Sequence, residues 1–226
     1  PPGTRFGAEG SFKIFRCPAA PDADETETVV LAVRPVRGVV GVDYPPAYPS
    51  LAPLGVSKSP GDRVVGRSNY VANGGFPKNQ LTLGAGGDPV DADGPFGYAA
   101  RGQGVPPQRV ADGLSATVFF AEAAGERLKG GATEPVVTHS WGFGVYWPLN
   151  GVCPHALGAS GPPAAEWTTY CDKYRATVPN SRHPGGAIHF AFGDGSVRPV
   201  DPTGLTLTVW VALNGMADGL TVPAGQ

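Results

Sequence analysis

Glycine and proline punctuate this chain so densely, 34 and 25 times in 226 residues, that whatever orders it must consist of short elements joined by many turns. Proline has no amide hydrogen to donate and fixes its own φ, while glycine loses most backbone freedom on ordering. Such a density approaches that of low-complexity chains. Four Trp, ten Phe and seven Tyr are nevertheless spread among alternating segments, a pattern that disordered chains lack. The composition thus implies an ordered domain with much turn and loop, of ordinary size for a single unit spanning residues 1–226.

Charged residues make up only 16% of the chain and the formal net charge is −2. That balance leaves no electrostatic footprint for nucleic acid or an anionic lipid surface. No apolar run approaches the ~20 residues of a membrane span. The longest candidate, residues 29–42, is broken by Arg34, Pro35 and Arg37. The chain opens Pro1-Pro2-Gly3 rather than with Met, and the expectation is that an N-terminal piece has been removed. Three cysteines, Cys17, Cys153 and Cys171, fit neither a complete disulfide framework nor a four-ligand zinc set. Cys153 and Cys171 flank a Pro/Gly-rich loop and are the disulfide candidate in an oxidising compartment, where closure would contribute roughly 3 kcal/mol. The alternative is three unrelated buried thiols.

Along the chain, a short apolar segment at residues 12–15 precedes Cys17-Pro18, and residues 28–33 form a β-type run ended by Pro35. Between residues 42 and 58, four prolines and two tyrosines argue against regular structure. Ser68-Asn69-Tyr70-Val71-Ala72-Asn73-Gly74-Gly75 reads as a short strand entering a turn, and residues 76–110 again as loop. A loop insertion is therefore expected over about 35–110, long enough to be functional or interface-forming. Asp112-Gly113-Leu114-Ser115 resembles a turn or one helical turn, followed by a strand over 117–122. Val137, His139, Trp141, Phe143, Val145 and Trp147 alternate with small or polar residues, which predicts one long strand. Ile188, Phe190 and Phe192 share a face, and Asp194-Gly195 supplies hairpin chemistry before the return at 197–200. Thr206 caps a short helix over 207–213, with Leu207, Trp210 and Leu213 on one face and Asn214-Gly215 as its stop. The predicted class is α+β, a mainly antiparallel sheet with few, short helices.

Several of these segments together resemble a large planctomycete family of pilin-like proteins carrying domain of unknown function 1559. They are Phe15-Arg16-Cys17-Pro18, Ser68-Asn69-Tyr70-Val71-Ala72-Asn73, and Val110-Ala111-Asp112-Gly113-Leu114-Ser115-Ala116-Thr117 leading to Glu122. More specific are Ser181-Arg182-His183-Pro184-Gly185-Gly186 and Phe192-Gly193-Asp194-Gly195-Ser196-Val197-Arg198, with a closing helix around Trp210. The resemblance spans roughly residues 12–220 and marks Asp112, Gly113, His183, Gly185, Gly186, Asp194, Gly195 and Trp210 as signature positions with an architectural role. It implies a type II secretion pseudopilin-like head, β-rich and lying outside the cytoplasmic membrane, anchored by an N-terminal apolar helix absent here. The family places nine residues between His and Asp-Gly, whereas ten lie between His183 and Asp194. The extra residue is expected in the Gly185-Gly186 loop or as a bulge, since a slip within a strand would exchange its faces.

Three candidate sites stand beside that reading. His183, Asp194 and Glu122 make a conceivable acid/base group of a hydrolase, but Asp194 also suits a turn and His183 a hydrogen-bonding loop. His139, His155, His183 and His189 lack ligand spacing; His183 and His189 would need a tight bend to share a metal, so zinc is not expected. Asp88, Asp91 and Asp93 form an acidic loop, and the resemblance to pseudopilin heads, which carry loop calcium, makes it the calcium candidate. Tyr44, Pro45, Pro46, Tyr48 and Pro49 could equally serve a protein- or glycan-binding surface or ordinary loop packing. The expected function is a non-catalytic head with no cofactor unless calcium, whose partners are subunits of a pilus-like or surface assembly. Its expected location is extracytoplasmic, periplasm or cell surface, with membrane attachment only through the missing helix. A hydrolase and a glycan- or ligand-binding module are the alternatives.

Overall fold

The computed structural model describes residues 12–20, 28–31, 53–55, 67–75, 93–96, 105–127, 136–140, 145–146, 179–202 and 205–221. The strands are β1 (Thr28–Leu31), β2 (Pro53–Gly55), β3 (Arg67–Ser68), β4 (Tyr70–Asn73), β5 (Val118–Glu122), β6 (Glu126–Arg127), β7 (Val136–Ser140), β8 (Val145–Tyr146), β9 (Ile188–Phe192) and β10 (Val197–Val200). One α-helix, α1 (Leu207–Asn214), and short 3-10 turns at Lys13–Phe15 and Pro107–Arg109 complete the described elements. One sheet runs β10-β9-β5-β4-β8; the other runs β2-β1-β7-β3, with β6 also on β7. Pairing is antiparallel except for β1 with β7 and β4 with β8. The class is α+β and mostly β.

Three stretches of chain serve both sheets. β3 and β4 are separated only by Asn69, β5 and β6 by residues 123–125, and β7 and β8 by residues 141–144. In each case the two halves pair in different sheets. At the β5–β6 junction Gly125 has φ +80°, a left-handed conformation that suits glycine. The single strand expected over 137–147 is therefore two, because alternation records faces but not a change of partner. β2 also corrects the expectation that residues 42–58 lack regular structure, since Pro53 sits at the first position of a three-residue strand, where proline is tolerated.

The core lies between α1 and one face of the β10-β9-β5-β4 sheet. Ile188, Phe190 and Phe192 alternate inward as expected, joined by Val71, Val118, Ala121, Val200 and Leu205. Trp210 is fully buried and meets Phe190 edge to face, ring centroids 5.9 Å apart. Thr206 caps α1 by accepting from the Val209 amide. Burial extends beyond one stripe: every residue from Trp210 to Asn214 is enclosed. The reason is polar as well as apolar. The buried Asn73 amide donates to the Val118 and Asn214 carbonyls, tying the helix end to two strands. Gly215 ends the helix in extended conformation (φ −77°), not the left-handed form expected of a glycine stop.

The Asp194-Gly195 hairpin has the three-residue loop Gly193-Asp194-Gly195, with only Gly195 left-handed (φ +84°). Asp194 Oδ1 accepts from the Ser196 amide and hydroxyl at 2.9 and 2.7 Å, and Arg198 lies over the Phe192 ring. β9 keeps unbroken register with β10; the register shift in this sheet falls on β5, between Val118 and Phe120.

Asp112 fastens the chain after α1 by accepting from the Asp218 and Gly219 amides at 2.8 and 3.1 Å. Gly113 beside it is left-handed, φ +98°. Burial, with the Asp112 carboxylate beside it, pushes Asp218 up from 3.8 to about 6. A carboxyl whose pKa rises on folding binds its proton more tightly in the folded state. Its contribution is favourable below pH ~4 and is lost as pH rises through about 6. Asp218→Asn keeps the acceptor for the Leu220 amide and offers a donor where the buried Oδ2 has no partner. It should raise stability by about 1 kcal/mol at pH 7.5, discounted for partial exposure, and by nothing near pH 4. Thermal melts of the two proteins across that range check this.

Candidate functional site

β5 ends in Glu122, which alternation turns away from the helix-covered face. It lies opposite Tyr70 and, one step beyond the Ala121–Phe190 pair, beside His189. A carboxylate here should be wet, yet Glu122 is only 1% exposed. Two segments cover it. Residues 12–18 lie over it, held by the Asn69 amide donating to the Phe15 carbonyl and the Cys17 amide donating to Asn69 Oδ1, at 2.8 and 2.9 Å. Residues 180–183 run alongside, with the Asn180 amide donating to the Glu122 carbonyl and Ser181 Oγ accepting from the His183 amide.

A polar cluster results. Cys17 Sγ donates to Glu122 Oε1 at 3.1 Å. His183 Nε2 lies 3.3 Å from both that sulfur and that oxygen. The other carboxylate oxygen, Oε2, faces His189 Nδ1 at 3.2 Å and accepts from the His189 amide at 3.3 Å. The two imidazoles meet edge to face with centroids 4.7 Å apart. What brings them together is the turn Pro184-Gly185-Gly186, closed by the Gly186 amide on the His183 carbonyl. Gly185 and Gly186 both take left-handed φ, +86° and +77°, and two such residues in succession reverse the chain sharply. The tight bend thought necessary for His183 and His189 to meet therefore exists.

Cys17 is a free, buried thiol. Burial first, then its hydrogen bond to Glu122, pushes it up from 9.0 to about 11. It is thus a protonated donor at neutral pH, unlike the low-pKa thiolates that act as nucleophiles.

The group drawn from His183, Asp194 and Glu122 needs correction. Glu122 and His183 meet, but Asp194 belongs to the hairpin at the opposite end of β9. From His189 to the end of β9 at Phe192 is three strand steps, about 10 Å, Asp194 lies in the turn beyond, and its carboxylate is engaged by Ser196 and Arg198. Of the calcium candidates, Asp88 and Asp91 lie outside the described residues. Asp93 is bridged to Gly75 and its carbonyl accepts from the Met216 amide. Cys153, Cys171, His155 and the Tyr44, Pro45, Pro46, Tyr48, Pro49 cluster also lie outside the described residues. Sequence reasoning missed Cys17, Asn69 and His189 as members of one site. Cys17 and Asn69 did stand in segments that carried the family resemblance, as did Glu122 and His183, and that shared membership was the available signal.

The fold and this cluster define a β-rich α+β domain that gathers a thiol, a carboxylate and two imidazoles from distant segments. Residues 2–202 match the family described as "Protein of unknown function (DUF1559)", and the chain belongs to that family. Neither curated proteins nor solved structures give a match to it. Among the described residues, no helix is long and apolar enough to cross a membrane.

Proposed function

We propose that this chain is the head of an exported, pseudopilin-like cell-envelope protein with a structural, assembling role, and that its polar cluster is a joint rather than a catalytic centre. The observation carrying this reading is the fastening of residues 12–18. A backbone hydrogen bond, an asparagine side chain and a buried thiol tie this N-terminal segment to β5 and the β3–β4 junction. In a subunit hung from an N-terminal helix, tension enters the head through that segment, and a buried clamp there hands it to the sheet. Beside the clamp, Ile14 is 80% exposed and Phe12 also stands out, apolar surface suited to an anchor or a neighbouring subunit. The protonated thiol, donating to the Glu122 carboxylate, supports an architectural role over nucleophilic chemistry, which needs a thiolate.

The test is cell fractionation of the complete gene's product, with a photo-crosslinking residue placed at Ile14. The expected result is an envelope-associated protein, N-terminally processed, that crosslinks through position 14 to other envelope subunits. A product that stays in the cytosol with its initiating Met unprocessed overturns the reading.

A further inference from the structure

Cys17, Glu122 and His183 present a sulfur, an oxygen and a nitrogen to one point in space, and we infer that they form a binding site for a divalent transition metal of the zinc class. The inference stands apart from the assembly role, since it rests on the cluster alone.

Geometry is the first support. The three donor atoms form a triangle with edges of 3.1, 3.3 and 3.3 Å. Tetrahedral zinc bonds of about 2.3 Å to sulfur and about 2.0–2.1 Å to nitrogen and oxygen place such donors about 3.3–3.6 Å apart. The observed triangle is one face of that tetrahedron, drawn in by a few tenths of an ångström. A point about 2.1 Å from all three atoms lies about 1 Å off their plane, so only slight outward relaxation is required.

Charge is the second. Glu122 is buried, and the groups described around its two oxygens are a thiol and two imidazoles, none with a permanent positive charge. Hydrogen bonding accounts for the distances but supplies no obligatory counter-charge to a buried carboxylate. A 2+ ion with one thiolate and one carboxylate makes the cluster neutral. Binding releases the Cys17 thiol proton to solvent, and the sulfur's freed lone pair forms the bond to the metal.

Orientation and access complete the case. Only Oε1 is needed as a ligand; Oε2 is held by the His189 ring and amide, the outer hydrogen bonding that fixes ligating carboxylates. His183 is 33% exposed while Cys17 and Glu122 are enclosed, so an ion enters from the histidine side and a fourth position is left for water. A thiolate and an imidazole select zinc or cobalt over calcium or magnesium.

Cobalt(II) titration of the chelator-treated chain under reducing conditions tests this. One equivalent should give a thiolate-to-cobalt charge-transfer band, displaced by zinc, and one equivalent of zinc should raise the melting temperature. The band should survive in the Cys153→Ser/Cys171→Ser protein and vanish in Cys17→Ser. His183→Ala, altering a partly exposed side chain, should weaken cobalt affinity at least tenfold. No band in the wild-type chain overturns the proposal outright. So does a full band in Cys17→Ser that keeps its native circular dichroism. If that variant does not fold, His183→Ala decides, and unchanged affinity there overturns the proposal.

Discussion

Glu122→Ala should lower the free energy of unfolding by about 3 kcal/mol, measured by urea denaturation in the presence of a chelator. The carboxylate is the common acceptor for the Cys17 thiol, the His189 ring and amide, and the neighbour of His183. Truncation strands several donors at once, at about 1–3 kcal/mol for each that stays buried. The partly exposed histidines recover some of this from water, which keeps the sum near the low end. Glu122→Gln preserves volume and one acceptor but turns an NH2 toward a donor, so about half the loss is expected. The urea midpoint should fall while the slope is unchanged. A shift under 0.5 kcal/mol for the alanine variant would mean the clamp contributes nothing to the fold.

Trp210→Ala should cost about 3–5 kcal/mol, within the range for removing a large aromatic from a core. Its side chain is the largest of the fully buried ones among the described residues and packs where α1 meets Phe190. Relaxation around the gap is restricted because the helix end is bonded to β4 and β5 through Asn73. Against a typical total of about 5–15 kcal/mol, that loss should bring thermal unfolding close to ambient temperature. A cost below 1 kcal/mol would show that the helix is not docked on the sheet through this ring.

Local patterns made β1, β4, β5, the β9–β10 hairpin and the capped helix legible, because each is decided within a few residues by alternation, turn chemistry or a cap. The break between β7 and β8 was not, since both halves keep period two. β2 was hidden by proline-rich surroundings that disfavour a strand locally while long-range pairing supplies one. The polar cluster was legible only in fragments. Cys17 lies 105 residues from Glu122 and 166 from His183, and no spacing rule spans such distances. His189 looked like a residue on the small side of a strand, which it is; that side is covered at Glu122 by segments from elsewhere. Asp194 was legible as a turn residue, because Asp-Gly chemistry between two alternating runs marks a hairpin tip.

The three stretches shared between the sheets have a consequence for how the molecule comes apart. Because each lends one end to either layer, neither layer can melt while the other keeps a full complement of strands. Denaturation should therefore be a single cooperative event, with aromatic and backbone signals lost together. A protease nick in one of the shared segments should leave the two sheets joined through the other two.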